Sequence, residues 1–183
     1  LLASSAASDV YKRQVTNATS IRCVELLETG QVDLIVVNSP NAYLGNVPNV
    51  KKIKDFQDVF IADKAFEELK GKKLSFKELL NYPILMLDRK STTSEYLHNL
   101  FLQNQLDLVP EIELSSNDLL IDLARIGLGI AFIPDYCLSR ESKDLYVVRT
   151  KEKLPSRQMV ASINPTLPVS QSTEEFLKLL PEL

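Results

Sequence analysis

Two kinds of hydrophobic spacing alternate along the 183-residue chain. In the first half of segment 115–134, apolar residues recur every three to four positions, which is the spacing of a half-buried helix. Gly127 and Gly129 follow, and glycine allows the positive φ and close backbone approach that end a helix. The apolar run Ile130–Ile133 is short enough to be a strand covered on both faces. The segment therefore predicts a helix, a tight turn and a central strand.

The same alternation continues through the rest of the chain. A helical pattern stops at Gly30, and an almost continuous apolar run, typical of a buried strand, follows at 32–37. Strands alternating with helices predict an α/β fold with mixed, mainly parallel sheets. Extended segments near 58–63 and 145–150 join two groups of elements, which predicts two lobes linked by a double crossover. Further strands are predicted at 53–62, 84–87, 111–114, 145–149 and 158–163.

Several predicted helices begin with a hydroxyl side chain that is followed three positions later by an acidic one. Ser75, Thr92 and Ser115 each stand in this relation to a Glu or Asp. The spacing is that of a capping box, in which the hydroxyl accepts a bond from a backbone N–H in the first turn. We therefore expect these three residues to cap their helices.

Composition and charge exclude several classes of function. The net charge is −3 with acidic and basic residues mixed, so no electrostatic footprint for nucleic acid is present. Cys23 and Cys137 lie far apart and outside any metal-ligand spacing, so a reducing cytoplasm is the expected location. No stretch approaches the ~18 consecutive apolar residues of a membrane span. We expect no cofactor and no metal.

The first fourteen residues, LLASSAASDVYKRQ, match none of the periodic patterns that follow. They lack the leading positive charge and long apolar core of a signal peptide. We interpret residues 1–14 as a cloning or sequencing scar, with a disordered native tail as the alternative.

With these elements in order, the chain resembles the effector-binding domain of LysR-type transcriptional regulators from about residue 15 to residue 183. LLETGQVDLIVV at 26–37 is similar to the helix-Gly-x-x-Asp-Leu-strand signature of that family. The segment LLIDLARIGLGIAFIP at 119–134 and the closing helix STEEFLKLL are similar as well. The resemblance implies a two-lobed, type II periplasmic-binding-protein-like fold. Lobe I is expected at 15–62 plus 149–183, and lobe II at 63–148.

The resemblance also implies what this chain does and what it lacks. Such regulators bind a small effector between the lobes and carry a winged helix-turn-helix before them. That DNA-binding unit and the first strand and helix of lobe I have no counterpart here, so we expect a truncated regulator with an incomplete lobe I. DNA binding would then belong to the missing N-terminal domain, and the intact protein would be a homodimer or homotetramer.

Polar side chains stand at predicted strand-to-helix junctions, where free N–H groups and the helix dipole favour an anion. In the family, hydroxyls of two such loops resemble those that contact the effector. Each of these residues is also a good helix cap or turn former, so capping remains the alternative role. Asn17, Asn38 and the apolar Pro134 are added as plausible positions in the cleft. The candidates are Ser91, Thr92, Thr93, Ser115, Ser116, Asn117, Asn17, Asn38 and Pro134.

Catalysis has little support in the sequence. The single histidine, His98, is expected on the surface or partly packed rather than acting as a general base. No Ser-His-Asp spacing, metal-ligand cluster or phosphate-binding glycine loop is present. We therefore expect no enzyme activity. The alternative is a small-molecule binding protein or an enzyme built on the same fold, since fold does not fix function.

Overall fold

Two separate sheets divide the chain into two lobes. The computed structural model describes residues 15–45, 50–138, 143–164 and 168–180, and the prediction for residues 1–14 lies outside them. The small lobe contains a three-stranded sheet in the order β1-β9-β2 and the large lobe a six-stranded sheet in the order β4-β8-β3-β7-β5-β6. The strands are β1 (Leu34–Ser39), β2 (Lys51–Phe56), β3 (Asp58–Ala62), β4 (Lys73–Leu74), β5 (Ile84–Leu87), β6 (Ile112–Leu114), β7 (Ile130–Pro134), β8 (Tyr146–Thr150) and β9 (Arg157–Ile163).

Helices cover both sheets. In the large lobe, α3 packs on one face of the sheet and α4 on the other, which buries the strands between them on both sides. Phe132 of β7 is fully buried in the first of these cores, as predicted. In the small lobe, α1 packs on β1 and β9. The helices are α1 (Ser20–Glu28), α2 (Phe76–Leu79), α3 (Thr92–Gln103), α4 (Asn117–Arg125) and α5 (Gln171–Leu179), with 3₁₀ turns at Ala42–Leu44, Lys64–Leu69 and Asp135–Cys137.

The six-stranded sheet is mixed, as predicted, but the three-stranded sheet is wholly antiparallel, and parallel pairs are not in the majority. β5 pairs in parallel with β6 and β7, and β8 pairs in parallel with β4. β9 runs antiparallel to both β1 and β2, and β3 runs antiparallel to both β7 and β8. β3 and β9 each follow a segment that crosses between the lobes. Each is the central strand of an antiparallel group of three strands, and these two groups account for all the antiparallel pairs.

The chain crosses between the lobes at two adjacent segments. The single strand predicted at 53–62 is two strands that belong to different sheets, so the lobes divide at Gln57 rather than at Ala62. The return crossing occupies 151–156, between β8 and β9. Gln57 Nε2 donates to the Leu154 carbonyl at 2.7 Å, and Ser156 Oγ donates to the Phe56 carbonyl at 3.0 Å. The two crossings are therefore joined by hydrogen bonds.

The predicted caps are right for one helix and displaced by one residue for two others. Ser75 caps α2 in a full capping box with Glu78. The cap of α3 is Ser91, one residue before Thr92, and the cap of α4 is Ser116, one residue after Ser115. Runs of hydroxyl and amide residues offer several caps of similar quality, and the backbone leaving the strand decides which one takes the extended conformation. The side chains of Thr92 and Ser115 are therefore free of the capping role.

The glycine turn after α4 is present as predicted. Gly127 has a φ of +77°, and a Cβ added there would lie 2.9 Å from the Cβ of Ala65. At Gly129 an added Cβ would lie 2.6 Å from the carbonyl oxygen of Pro83. Glycine is thus required at both positions for the helix and strand to pack closely. In the described part of the chain, no helix is both long enough and apolar enough to cross a membrane.

Two glycines with similar positive φ angles allow the cost of backbone strain to be measured separately from the cost of a steric clash. Gly71 has a φ of +79° and an added Cβ would meet nothing within 4 Å, whereas Gly127 faces Ala65. We expect Gly71→Ala to cost about 1–2 kcal/mol from the left-handed backbone alone. Gly127→Ala should cost about 1–3 kcal/mol more, because the new methyl group overpacks the contact. Urea unfolding of the two variants measures the difference, and equal losses would contradict the role given to the Ala65 contact.

Candidate functional site

A cavity of about 510 Å³ lies between the two lobes. Three helices, α1 of the small lobe and α3 and α4 of the large lobe, begin at its wall. Eight of the nine residues predicted for the site line this cavity, and Pro134 does not, because it is buried in the register of β7 opposite Asp58. The eight are Asn17, Asn38, Ser91, Thr92, Thr93, Ser115, Ser116 and Asn117.

Each of the three helix starts leaves backbone donors without a partner. In α1, α3 and α4 the cap side chain accepts from the third helical N–H group and leaves the first two unbonded. Among the hydrogen bonds of the described residues, none is donated by the first two helical N–H groups of these helices. Such groups at a helix N-terminus attract an anion, because the helix dipole is positive there. The six groups belong to Ser20, Ile21, Thr92, Thr93, Asn117 and Asp118.

Acidic side chains partly offset this positive potential. Asp118 lines the cavity from the first turn of α4 and is exposed to solvent, and Glu95 lies half-buried in the first turn of α3. No Lys or Arg of the described residues lines the cavity. Attraction for an anion therefore rests on N–H groups, hydroxyls and helix dipoles.

A fully buried ion pair lies behind the two threonines of the cavity wall. Arg157, the first residue of β9, has no exposed side-chain surface, and its Nη1 lies 2.9 Å from Oδ2 of Asp58, the first residue of β3. The same Nη1 donates to Thr93 Oγ1 at 3.1 Å, and Nη2 donates to Thr92 Oγ1 at 3.1 Å. One guanidinium group thus joins the small lobe, the first strand of the large lobe and the start of α3.

Aromatic rings hold this guanidinium group in place. The Arg157 Cζ lies 5.3 Å from the ring centroid of Phe56 and 5.0 Å from that of Tyr96, distances at which the cation is attracted to the π face. Tyr96 Oη donates to the Pro155 carbonyl at 2.9 Å, and burial raises the pKa of Tyr96 to about 12. Burial also raises the pKa of Asp58, while the Arg157 charge opposes that rise.

A second contact spans the cavity directly. Tyr136, in the 3₁₀ turn after β7, donates its hydroxyl to Asn38 Oδ1 of the small lobe at 3.0 Å. Its ring packs edge-on against Phe56, and Lys54 Nζ lies 4.8 Å from the ring centroid. Burial raises the pKa of Tyr136 to about 12, so this hydroxyl stays protonated at neutral pH.

Neither Cys137 nor His98 is suited to catalysis in this cavity. Cys137 lines it, but burial raises the pKa of the Cys137 thiol to about 11, and the thiol form is a poor nucleophile. His98 is half-buried on α3, does not line the cavity, and has a pKa lowered chiefly by burial. The described residues contain no group of three His, Cys, Asp or Glu side chains that could hold a metal ion.

Sequence reasoning missed the residues that support the site from behind. Arg157 and Asp58 are 99 positions apart, and arginine is almost never fully buried, so no local pattern pointed to the pair. Tyr136 had a usable signal, because it stands two residues after the end of a predicted strand, where ligand-binding side chains concentrate in α/β sheets. Asp118 was overlooked although it stands next to the predicted Asn117.

Two lobes, two adjacent crossings and a polar cavity between the lobes define the type II periplasmic-binding-protein-like architecture. A model of the LysR substrate binding domain family matches residues 12–183. The chain therefore belongs to the LysR substrate-binding domain family.

Individual relatives agree with this assignment. The HTH-type transcriptional activator CmpR of Synechocystis sp. is 30% identical over 128 residues, which cover 70% of this chain and 41% of CmpR. The chain thus matches about two fifths of the length of that curated relative. The regulatory domain of CcmR from Synechocystis PCC6803, solved in complex with 2-PG, is similar with a TM-score of 0.77 and 24% identity over 91% of this chain and 79% of that one. The effector-binding domain of QuiR, solved with shikimate, is similar with a TM-score of 0.72 and 14% identity over 87% of this chain and 75% of that one.

Removing one member of the buried pair should cost far more than removing one member of a surface pair. Arg157→Met leaves the Asp58 carboxylate buried without its partner, and we expect a loss of about 3–5 kcal/mol in the free energy of unfolding. Arg22→Met removes the exposed pair with Glu25 and should change the free energy of unfolding by less than about 1 kcal/mol. Chemical denaturation measures both, and a similar small loss for both variants would show that the buried pair is not needed for folding.

Proposed function

We propose that this domain senses a small anionic effector bound between its lobes and thereby controls a LysR-type transcriptional regulator. The observation that carries the proposal is the convergence of three helix N-termini on one cavity. Their first two N–H groups lack acceptors among the described residues, as set out above. A carboxylate or a similar group placed there would satisfy these donors and the positive ends of the dipoles together.

The relatives support a ligand of this kind. The CcmR regulatory domain binds 2-PG and the QuiR effector domain binds shikimate, which is a carboxylic acid. A cavity of about 510 Å³ has the size expected for a small-molecule site. We propose that Thr92, Thr93, Ser116 and Asn117 contact the effector from the large lobe, and that Asn17 and Asn38 contact it from the small lobe.

Binding between the lobes would also provide the signal. An effector that touches both lobes favours the relative lobe orientation in which both sets of contacts are made, by as much as its affinities for the two orientations differ. Such a rearrangement would act on three hydrogen bonds. Two of them join the crossings, at Gln57 and Ser156, and the third joins Tyr136 to Asn38 across the cavity.

Control of transcription requires parts beyond this domain. CmpR is an HTH-type transcriptional activator, and the present chain matches only part of its length. We propose that a winged helix-turn-helix outside this segment binds DNA, and that the intact protein is a cytoplasmic homodimer or homotetramer. We further propose that the domain does not act as an enzyme, which the protonated thiol of Cys137 supports.

A charge placed at the rim of the cavity tests the anion proposal without disturbing the core. Ser115 lines the cavity, is exposed and does not cap α4, so Ser115→Asp adds a negative charge just before a helix N-terminus. The dipole should keep the free energy of unfolding unchanged or slightly raised. Affinity for shikimate and for hits from a screen of carboxylate and phosphate metabolites should fall about three- to tenfold, as measured by calorimetry and thermal shift.

Two further variants serve as controls. Ser115→Ala removes the hydroxyl without adding charge and should bind nearly as well as wild type. Asp118→Asn removes a carboxylate from the cavity wall and should bind anions more tightly. If all hits were neutral or cationic compounds, or if anions bound Ser115→Asp as tightly as wild type, the proposed effector class would be wrong.

A further inference from the structure

We propose that Arg157 is a positioning residue that orients the Thr92 and Thr93 hydroxyls so that they donate into the cavity, and that the site therefore prefers a ligand group that only accepts hydrogen bonds. The inference rests on the proposed function and goes beyond it, since it assigns ligand selectivity to a side chain that does not line the cavity. It also separates selection by hydrogen-bond polarity from selection by charge.

The first step concerns the direction of the two threonine bonds. A guanidinium group has five N–H donors and no acceptor, so both threonine hydroxyl oxygens must accept from Arg157. The distances are 3.1 Å in each case, from Nη1 to Thr93 Oγ1 and from Nη2 to Thr92 Oγ1. Because the fork is rigid and planar, one arginine fixes both oxygens at once.

The second step concerns the hydroxyl hydrogens that remain. A hydroxyl that accepts one bond still has its own O–H to donate. No described residue accepts a bond from the O–H of Thr92 or Thr93, and both residues are at least 96% buried while lining the cavity. A buried donor without an acceptor is costly, so each O–H is available to a bound ligand.

The backbone adds donors at the same place. The N–H groups of Thr92 and Thr93 are the first two of α3, and the Ser91 cap leaves them unbonded because its side chain accepts from Ser94 N at 3.0 Å. Two hydroxyls and two N–H groups therefore present four donors to this corner of the cavity. A carboxylate or a sulfate, which carries only acceptors, matches them, whereas an ammonium group or the NH2 group of an amide would face them with further donors.

The arginine is held in the position that favours this orientation of the hydroxyls. Phe56 and Tyr96 contact the guanidinium group, and Asp58 is ion-paired to its Nη1. The Asp58 carboxylate balances the arginine charge, so the pair as a whole adds no net charge to the site. Selectivity at this corner should therefore follow hydrogen-bond direction more than net charge.

The test compares inorganic sulfate with sulfamide, a neutral molecule of similar shape in which NH2 donors replace two of the four oxygen acceptors. Wild-type protein, observed through the amide resonances of Thr92 and Thr93 during NMR titrations, should bind sulfate at least about tenfold more tightly than sulfamide. The two probes also differ in charge, so the charge-matched variants below are needed to assign the preference to hydrogen-bond direction. Equal affinity for the two probes at these resonances would overturn the inference.

Variants with matched charge then assign the selectivity to Arg157. The double variant Arg157→Gln/Asp58→Asn removes both charges together and leaves net charge unchanged, and neutral replacement of a buried ion pair is tolerated far better than loss of one member. The amide that replaces the Arg157 guanidinium group can both donate and accept hydrogen bonds. The threonine hydroxyls could then either accept from it or donate to it. We expect the sulfate-to-sulfamide ratio to fall about tenfold towards unity.

Conservative threonine variants provide the rescue. Thr92→Ser and Thr93→Ser keep the hydroxyl and should keep the wild-type ratio of sulfate to sulfamide affinity. Thr93→Val keeps the shape of the side chain without the hydroxyl and should lose most of that preference for sulfate. If the double variant folds and keeps the wild-type ratio, or if Thr93→Val does, Arg157 supports the fold without setting selectivity.

The results also distinguish this inference from the proposed function. If shikimate or screened anions shift the resonances of Asn117 and Ser20 while sulfate leaves Thr92 and Thr93 unmoved, the inference fails and the sensing role stands. If no anion and no screened metabolite shifts any residue of the cavity wall, both fail together.

Discussion

The ion pair between Arg157 and Asp58 is the constraint around which the two lobes are arranged. Each residue begins a strand that follows a crossing segment, so the pair fixes the point at which the chain passes from one sheet to the other. A buried charge is tolerated only when it is paired and hydrogen-bonded. Thr92 and Thr93, which belong to the cavity wall, meet part of this requirement by accepting from Arg157.

The pair is not fully satisfied, and this bears on its role. Arg157 Nε and Asp58 Oδ1 have no hydrogen-bond partner within the described structure. Two apolar residues of similar volume would avoid that cost, so stability alone explains the pair poorly. An arrangement that costs stability while fixing two cavity-lining hydroxyls is better explained by the site it supports.

The crossings and the cavity form one mechanical unit. Hydrogen bonds from Gln57 and Ser156 tie the two crossing segments together, and Tyr136 reaches Asn38 across the cavity. A change in lobe orientation therefore has to pass through a few identified contacts between the lobes. Because Arg157 lies among the crossings and also contacts the start of α3, movement there and occupancy of the cavity affect the same side chains.

The sequence was sufficient for those features that depend on local pattern. The Gly127 turn and the buried strand at 130–133 follow from spacing and from the steric freedom of glycine. Eight of the residues that line the cavity were predicted because ligands in α/β sheets bind at the carboxyl ends of strands. The lobe boundary was placed five residues late, since a strand interrupted at Gln57 has the same apolar content as a continuous one.

The role of Thr92 shows why local pattern was insufficient for the rest. At the sequence level its hydroxyl had two uses of similar weight, as a helix cap or as a ligand contact. Ser91 performs the capping, and Arg157, 65 residues away, donates a hydrogen bond to the threonine hydroxyl oxygen. The polarity of the site is thus set by a distant residue, and it follows only after the fold has brought β9 against the start of α3. A polar residue at a helix start predicts where a ligand binds, and its hydrogen-bond partners in the fold determine which ligand group it accepts.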